Sequence, residues 1–307
     1  MSNFSELQCI LDGLKCRSKV LSAVRSFFER HDFVETETPA GILAPAAEEY
    51  IDSPCTDSFF LRSSPELQMK RLVCAGMKNI YQIGPCFRAG ENGRLHRQEF
   101  SMLEWYMAGA DYLDMLNFTR NMVRDAVQKI NQNSLIHYRG EIIDVAADWE
   151  MISVRDAFKN FAGANADDAA SEEGLFELIL TEKVEPALPK NRPCVLIDYP
   201  VRFGAFARAK KEDPTLAERW ELYIGGVELA NAYGELTDAQ IQRERFNSFA
   251  RTRQRMNLKE YPVPTAFLEA LDHGMPESTG CALGFDRLVM LIAGADSLAE
   301  VTFPLDS

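Results

Sequence analysis

Phe87-Arg88-Ala89-Gly90-Glu91-Asn92-Gly93-Arg94-Leu95-His96-Arg97-Gln98-Glu99-Phe100-Ser101-Met102-Leu103-Glu104-Trp105-Tyr106 reads as the end of one strand, a polar loop and a returning strand. Residues 81–88 and 99–107 have strand character, and the polar, glycine-containing stretch between them makes a long hairpin. On the returning strand, alternation puts Phe100, Met102, Glu104 and Tyr106 on one face. Arg88, at a strand end, can hold a phosphate through its fixed guanidinium fork, and the loop adds Arg94, His96 and Arg97. A flat ring beside a carboxylate and a phenol suits a base-stacking surface next to an ammonium pocket. Taken alone, the segment reads equally well as a basic surface loop on an ordinary hairpin.

Upstream, Leu14, Val20, Leu21, Val24, Phe27 and Phe28 recur at helical spacing and predict a helix over 14–31. It leads into Asp32-Phe33-Val34-Glu35-Thr36-Glu37-Thr38-Pro39, an extended run whose proline favours an edge. Residues 40–65 look loop-rich, with short strands near 58–62. Ser64 and Pro65 then occupy the N-cap and first turn of a short helix over 66–76 that carries Lys70 and Arg71. Downstream, 111–190 reads as mostly helical, with 160–173 as a small acidic surface loop. A buried strand over 194–199 precedes a hairpin of 219–224 and 227–232 about Gly225-Gly226. Helices are expected over 238–256, 264–273 and 285–293, the last entered from Gly280-Cys281-Ala282-Leu283-Gly284. Hairpins mixed with helices indicate an α+β fold around an antiparallel sheet, and no repeat or linker divides it, so one domain over 1–307 is expected.

The second hairpin carries an acidic pair. With a two-residue turn, Glu221 pairs with Ala230 and Tyr223 with Glu228, so Glu221 and Glu228 share a face. Such a pair repels unless a cation intervenes; Mg²⁺ with bound phosphate fits, and a solvated acidic face is the plainer alternative. Strict alternation turns Asn231 to the opposite face, so it joins this site only through a bulge. In the glycine-rich joint, Arg287 lies in the first turn of a helix, where a cation opposes the dipole unless an anion compensates.

Composition narrows the function classes. Of 307 residues, 46% are hydrophobic and 26% charged, as in soluble globular proteins. The net charge of −13 argues against a dedicated nucleic-acid binder. Seven scattered cysteines without a C-x-x-C pair read as reduced thiols, and four histidines without H-E-x-x-H argue against a zinc enzyme. No G-x-x-x-x-G-K-[ST] phosphate loop is present. The longest apolar run, 288–295, is too short for a membrane span. Met1-Ser2-Asn3-Phe4-Ser5-Glu6 lacks the character of a signal peptide, so the cytoplasm is the expected compartment.

In this order, the segments resemble the signature motifs of class II aminoacyl-tRNA synthetases. Residues 14–40 resemble motif 1, the dimer-forming element; 81–107 resemble motif 2 and 280–293 motif 3, with 111–190 as a helical insertion. The resemblance covers nearly the whole chain. It is closest to the lysyl subclass, through Ser64-Pro65-Glu66, Glu99-Phe100-Ser101-Met102-Leu103-Glu104-Trp105-Tyr106 and Glu228-Leu229-Ala230-Asn231. Lysyl-tRNA synthetases carry an N-terminal OB-fold that reads the anticodon, and motif 1 starts here about fourteen residues in, so no OB-fold is expected. A catalytic domain of that kind resembles the ligases that attach (R)-β-lysine to a lysine side chain of elongation factor P. Ala282 stands where lysyl-tRNA synthetases usually have glycine and those ligases have alanine.

The resemblance implies an ATP-dependent, AMP-forming amino acid ligase with ATP and Mg²⁺ as cofactors. It also implies β-lysine or lysine as substrate, elongation factor P rather than tRNA as acceptor, and a homodimer. A stripped synthetase charging tRNA or another carrier, or a regulatory paralogue without catalysis, stays open. The implied catalytic residues are Arg88, at the α-phosphate and substrate carboxylate, and Arg287, which sandwiches adenine with Phe100 and reaches the γ-phosphate. Ala89, Gly90, Glu91, His96, Arg97, Glu228, Leu229 and Gly284 are implied around ATP, and Glu221 with Glu228 on Mg²⁺. Glu104, Tyr106 and Glu235 are implied at the substrate's side-chain ammonium, and Ser64, Pro65, Glu66 and Asn231 at its other polar end, with the Ala282 methyl reshaping the space near its amino group. Two departures stand out. The family's Phe-Arg-x-Glu has Gly90 in place of its glutamate, with Glu91 next, and its His-Asn-Pro-Glu becomes His96-Arg97-Gln98-Glu99.

Overall fold

The computed structural model describes residues 3–46 and 51–304, so Met1 and Ser2 of the N-terminal reading and 47–50 of the loop-rich stretch lie outside the described residues. The chain begins with helix α1 (Asn3–Arg30) and strand β1 (Val34–Glu35). A two-stranded ribbon, β2 (Gly41–Ile42) with β3 (Phe60–Leu61), precedes α2 (Glu66–Cys74). The long hairpin is β4 (Asn79–Phe87) and β5 (Glu99–Ala108), followed by α3 (Tyr112–Asn131). A second ribbon, β6 (Leu135–Tyr138) with β7 (Glu141–Asp144), leads to β8 (Glu150–Ser153). Short helices α4 (Val154–Ala157), α5 (Ala166–Ser171), α6 (Leu175–Ile179) and α7 (Glu185–Ala187) bring the chain to β9 (Cys194–Pro200). The last third holds β10 (Leu216–Ile224), β11 (Val227–Gly234), α8 (Ala239–Arg255), α9 (Thr265–Asp272), β12 (Ser278–Gly284) and α10 (Phe285–Ala293).

Eight strands form one sheet in the order β1-β4-β5-β12-β11-β10-β9-β8. Only the edge pairs β1–β4 and β8–β9 are parallel; every pair between them is antiparallel, giving the expected α+β architecture. Alternation divides the sheet chemically. Leu103 and Trp105 of β5, Cys281 and Leu283 of β12, and Trp220 and Leu222 of β10 are buried in the core shared with α1, α3 and α10. Each such large apolar side chain contributes about 1.5–3 kcal/mol by leaving water. The intervening residues, among them Glu104, Tyr106 and Glu221, turn to the opposite face, which carries the cavity described below.

Two sequence expectations are corrected and a third gains detail. The 111–190 region is mostly helical, as expected, but β6, β7 and β8 also lie within it. Arg139 and Gly140 both take positive φ, closing the two-residue turn of the β6–β7 ribbon. The 160–173 stretch is not a loop: Asn165 caps α5 by accepting from the amides of Asp167 and Asp168. Ala166, Ala169 and Ala170 are buried at helical spacing, leaving the acidic residues outside. The β10–β11 register also differs. Glu221 pairs with Asn231 and Leu222 with Ala230, while Tyr223 pairs with Glu228, so a bulge at Leu229 absorbs one residue.

All seven cysteines are free. No described helix is long and apolar enough to cross a membrane.

Candidate active site

The register of the central strands aligns two rows of side chains. Glu104, Ala282, Asn231 and Glu221 are neighbours across β5, β12, β11 and β10. Tyr106, Gly280, Tyr233 and Arg219 form the next row. The bulge at Leu229 makes this possible, because it puts Asn231 on the face already occupied by Glu221 and Glu228. These rows floor a cavity of about 430 Å³, which is also lined by Ser64, Glu66, Arg88, Glu91, Leu229, Glu235, Gly284 and Arg287. Most residues implied by the sequence therefore meet in one place. Pro65, Ala89 and Gly90 contribute no lining; Pro65 is the N-cap residue of α2 and Ala89 donates its amide to the carbonyl of Asp52.

The deep end is acidic. Glu104 accepts at 2.7 Å from both the Ser64 hydroxyl and the Tyr106 phenol. Burial and the neighbouring Glu66 push its carboxyl up to about 8. Glu235, only 1% exposed, is raised to about 7 by burial, against the pull of Lys70. Lys70 ion-pairs with Glu235 at 2.6 Å and also donates to Glu66. Although burial pulls Lys70 down, its two carboxylate neighbours hold it above the ordinary lysine value. Gly280 is required by close approach, since a Cβ there would overlap Glu235 Oε1 and the Tyr106 ring. Ala282, between Glu104 and Asn231, sets the side-chain size at the middle of the row.

The outer end is basic and aromatic. Arg88 lies just past β4, its amide still paired to the Gln98 carbonyl, and its guanidinium sits 5.2 Å from the centre of the Phe100 ring. Its Nε is buried with no hydrogen-bond partner among the described residues, a donor free for an anionic ligand. Gly90 turns at φ 78°, and Glu91 one residue later brings a carboxylate 3.7 Å from Arg88. Arg287 donates to the Glu228 carbonyl at 2.7 Å and lies 2.8 Å from His96 Nε2. Arg97 reaches the cavity edge, but its Nη1 donates to the Thr302 hydroxyl and the Phe303 carbonyl. Asp286 bonds both Arg17 of α1, at 2.5 Å, and the amide of Ser101, at 2.9 Å. Arg17 also donates to the Ser101 hydroxyl at 2.7 Å.

Between the two ends stands the acidic pair. Glu221 accepts from Tyr199 at 2.6 Å, Tyr223 at 2.8 Å and Arg219 at 2.6 Å. Arg219 itself packs over the Tyr199 ring and reaches Asn231 Oδ1 at 3.3 Å. Desolvation and Glu221 raise the Glu228 carboxyl. Glu185, whose carboxylate accepts from Tyr223, is pushed up to about 7 by burial, then by Glu221 and Glu228. No cluster of three or more histidine, cysteine, aspartate or glutamate side chains stands ready for a metal among the described residues. Two hard carboxylates nevertheless suit Mg²⁺ when phosphate oxygens complete its shell, so the donor set fits.

Lys70, Arg219, Tyr199 and Glu185 escaped the sequence reading. Two of them left a signal. Lys70 stands four residues after Glu66, the helical spacing for an ion pair, and Arg219 precedes Glu221 by two, hence on the same strand face.

Comparison with known proteins agrees with this geometry. The profile of class II tRNA synthetases (D, K and N) matches residues 8–307. An elongation factor P–(R)-beta-lysine ligase of Proteus mirabilis is 35% identical over 305 residues, covering 94% of each chain. Its counterpart in Edwardsiella ictaluri is 35% identical over 300 residues, covering 93% of this chain and 92% of that one. A lysine–tRNA ligase of Dehalococcoides mccartyi is also 35% identical, over 311 residues covering 93% of this chain, but the chain spans only 62% of that enzyme's length.

Proposed function

We infer, from the premise that this chain belongs to the class II tRNA synthetase family (D, K and N), that it activates lysine or (R)-β-lysine with ATP and passes it to a lysine side chain of elongation factor P. One observation carries this reading: an acidic pocket and an arginine-lined cradle share one cavity on one face of a rigid sheet.

The chemistry follows from that arrangement. A substrate ammonium is held at Glu104, Tyr106 and Glu235, with Ser64, Glu66 and Asn231 fixing its other polar end. Its carboxylate then lies toward Arg88. A carboxylate oxygen attacks the α-phosphorus of ATP, the bond to pyrophosphate breaks, and Arg88 stabilises the charge that builds on the phosphoryl oxygens. Phe100 and Arg287 grip the adenine ring, and Arg287 reaches the γ-phosphate. Glu221 and Glu228 would hold Mg²⁺, which when bound neutralises phosphate charge. The acceptor amine next attacks the acyl carbon of the mixed anhydride, loses a proton, and AMP leaves. Positioning supplies most of the rate, and no protein nucleophile is needed. A cytoplasmic homodimer joined through α1 belongs to the same reading, and sedimentation measures the second half of it.

Amino-acid-dependent ATP–pyrophosphate exchange tests activation, comparing α-lysine with (R)-β-lysine. Transfer of labelled substrate to elongation factor P or to tRNA tests the acceptor. Labelling of tRNA and not of the protein would sink the acceptor assignment while leaving the activation step intact.

A further inference from the structure

Lys70 is a full cation placed where water cannot reach it. Its side chain is 1% exposed, and its ammonium lies 5.0 Å from the centre of the Phe206 ring. It is held by carboxylates from opposite directions: Glu66, one turn earlier on α2, and Glu235, from the chain leaving β11. A buried charge persists only when its partners repay the lost hydration, so this ammonium and these carboxylates stabilise one another.

The Glu235 carboxylate is forked by this contact. Its Oε2 faces Lys70 at 2.6 Å, while its Oε1 lies against the bare α-carbon of Gly280, on the cavity floor. Lys70 thereby takes one oxygen and aims the other at the space a ligand would fill. We propose that Lys70 is a positioning residue of the amino-acid pocket, fixing the rotamer of Glu235 and offsetting the mutual repulsion of the pocket carboxylates so that they can receive a ligand ammonium. The proposal rests on the reading of this pocket as the ammonium site.

The surroundings support that division of labour. From α2 the network is faced by Glu66 and the Cys74 thiol, and from β5 by Glu104 and Tyr106. Arg208 acts on Glu235 from a distance, but its guanidinium is committed to Glu218 at 2.8 Å and Glu277 at 3.3 Å. The Cys86 thiol, on the same face of the sheet as Glu104, is pushed up by burial and so stays neutral. Lys70 is therefore the cation in direct contact with this network among the described residues. With Lys70 removed, Glu104 and Glu235 lose the cation that favours their charged forms while Glu66 still repels them, and both take up a proton at higher pH. A protonated carboxyl offers a bound ammonium no countercharge, so amino-acid binding is lost as pH falls through that raised value.

The test is ATP–pyrophosphate exchange from pH 6 to 9, using the lysine isomer that the unchanged protein activates best. For Lys70→Met, the acid limb of kcat/KM for the amino acid moves up by about one pH unit, a tenfold loss on that limb, with the KM for ATP within about twofold of the original. Lys70→Arg keeps the cation and returns the limb to within about 0.3 unit. Should Lys70→Met not fold, Lys70→Gln leaves an uncharged donor toward Glu66 and Glu235, and a displacement in the same direction is expected. An acid limb that stays in place, or a loss equal at every pH and accompanied by a rise in the KM for ATP, overturns the proposal alone. No exchange by the unchanged protein with any lysine isomer overturns the ligase reading and this proposal together.

Discussion

Arg287 and His96 meet nitrogen to nitrogen at 2.8 Å, so His96 Nε2 must be the acceptor and the imidazole neutral. Burial and then Arg287 depress the His96 pKa below its ordinary value. A base depressed in this way contributes its full share above the unfolded value near 6.5 and loses it as pH falls through the folded value. The contact between loop and helix should hold at neutral pH and fail in the acid range below about 6.5. The KM for ATP is expected to rise there, and His96→Gln to flatten that rise. An unchanged acid-range profile in His96→Gln would rule out His96 as its source.

Arg88 carries the greatest demand in the proposed reaction. Arg88→Ala should lower exchange by about a hundredfold to a thousandfold, the usual cost of removing a donor from developing negative charge. Arg88→Lys should recover little, because a point charge cannot reproduce the planar fork over Phe100. Near-original exchange in Arg88→Ala refutes the placement of the phosphates.

Gly280 tests the floor of the pocket. Gly280→Ala should displace Glu235 or Tyr106, raising the amino-acid KM at least about tenfold while destabilising the fold by about 1–3 kcal/mol, the range for overpacking. Exchange kinetics and a thermal melt read the two effects separately. An unaltered amino-acid KM would mean that neither side chain contacts the substrate.

Arg219 is expected to matter for stability as much as for catalysis. Arg219→Met strips the guanidinium from Glu221 and leaves that carboxylate in its cleft with two tyrosine hydroxyls. Breaking a buried pair in this way costs about 3–5 kcal/mol. Urea denaturation measures it, and Glu221→Gln in the same chain should return part of the loss. A loss below about 1 kcal/mol would place the pair among ordinary surface contacts.

Much of this site could be read in the sequence because its residues obey a period of two. Phe100, Met102, Glu104 and Tyr106 lie on one face as alternation requires, and all four line the cavity. The β10–β11 hairpin obeys alternation only up to the bulge. Leu229 is apolar and 2% exposed, so nothing in its chemistry distinguishes the extra residue from a regular strand position. Lys70 was visible as a charge on a short helix, yet its burial depends on β5 and on the chain beyond β11, well over a hundred residues downstream. The β6–β7 ribbon escaped for another reason: four-residue strands between helices are too short for periodicity to declare.

Arg17, Ser101 and Asp286 come from the first helix, the middle of the chain and its last long helix. Each is bonded to the other two, and the latter pair flank the residues that would grip a nucleotide base, Phe100 and Arg287. Exchanging Arg17 leaves the Asp286 carboxylate without its cation, exchanging Asp286 leaves the Arg17 guanidinium and the Ser101 amide unanswered, and exchanging Ser101 takes a hydroxyl acceptor from Arg17. They should therefore drift together among relatives, as a triplet that changes in step or not at all, and a chain that kept its sheet while mixing such triplets would lose its grip on the nucleotide before it lost its fold.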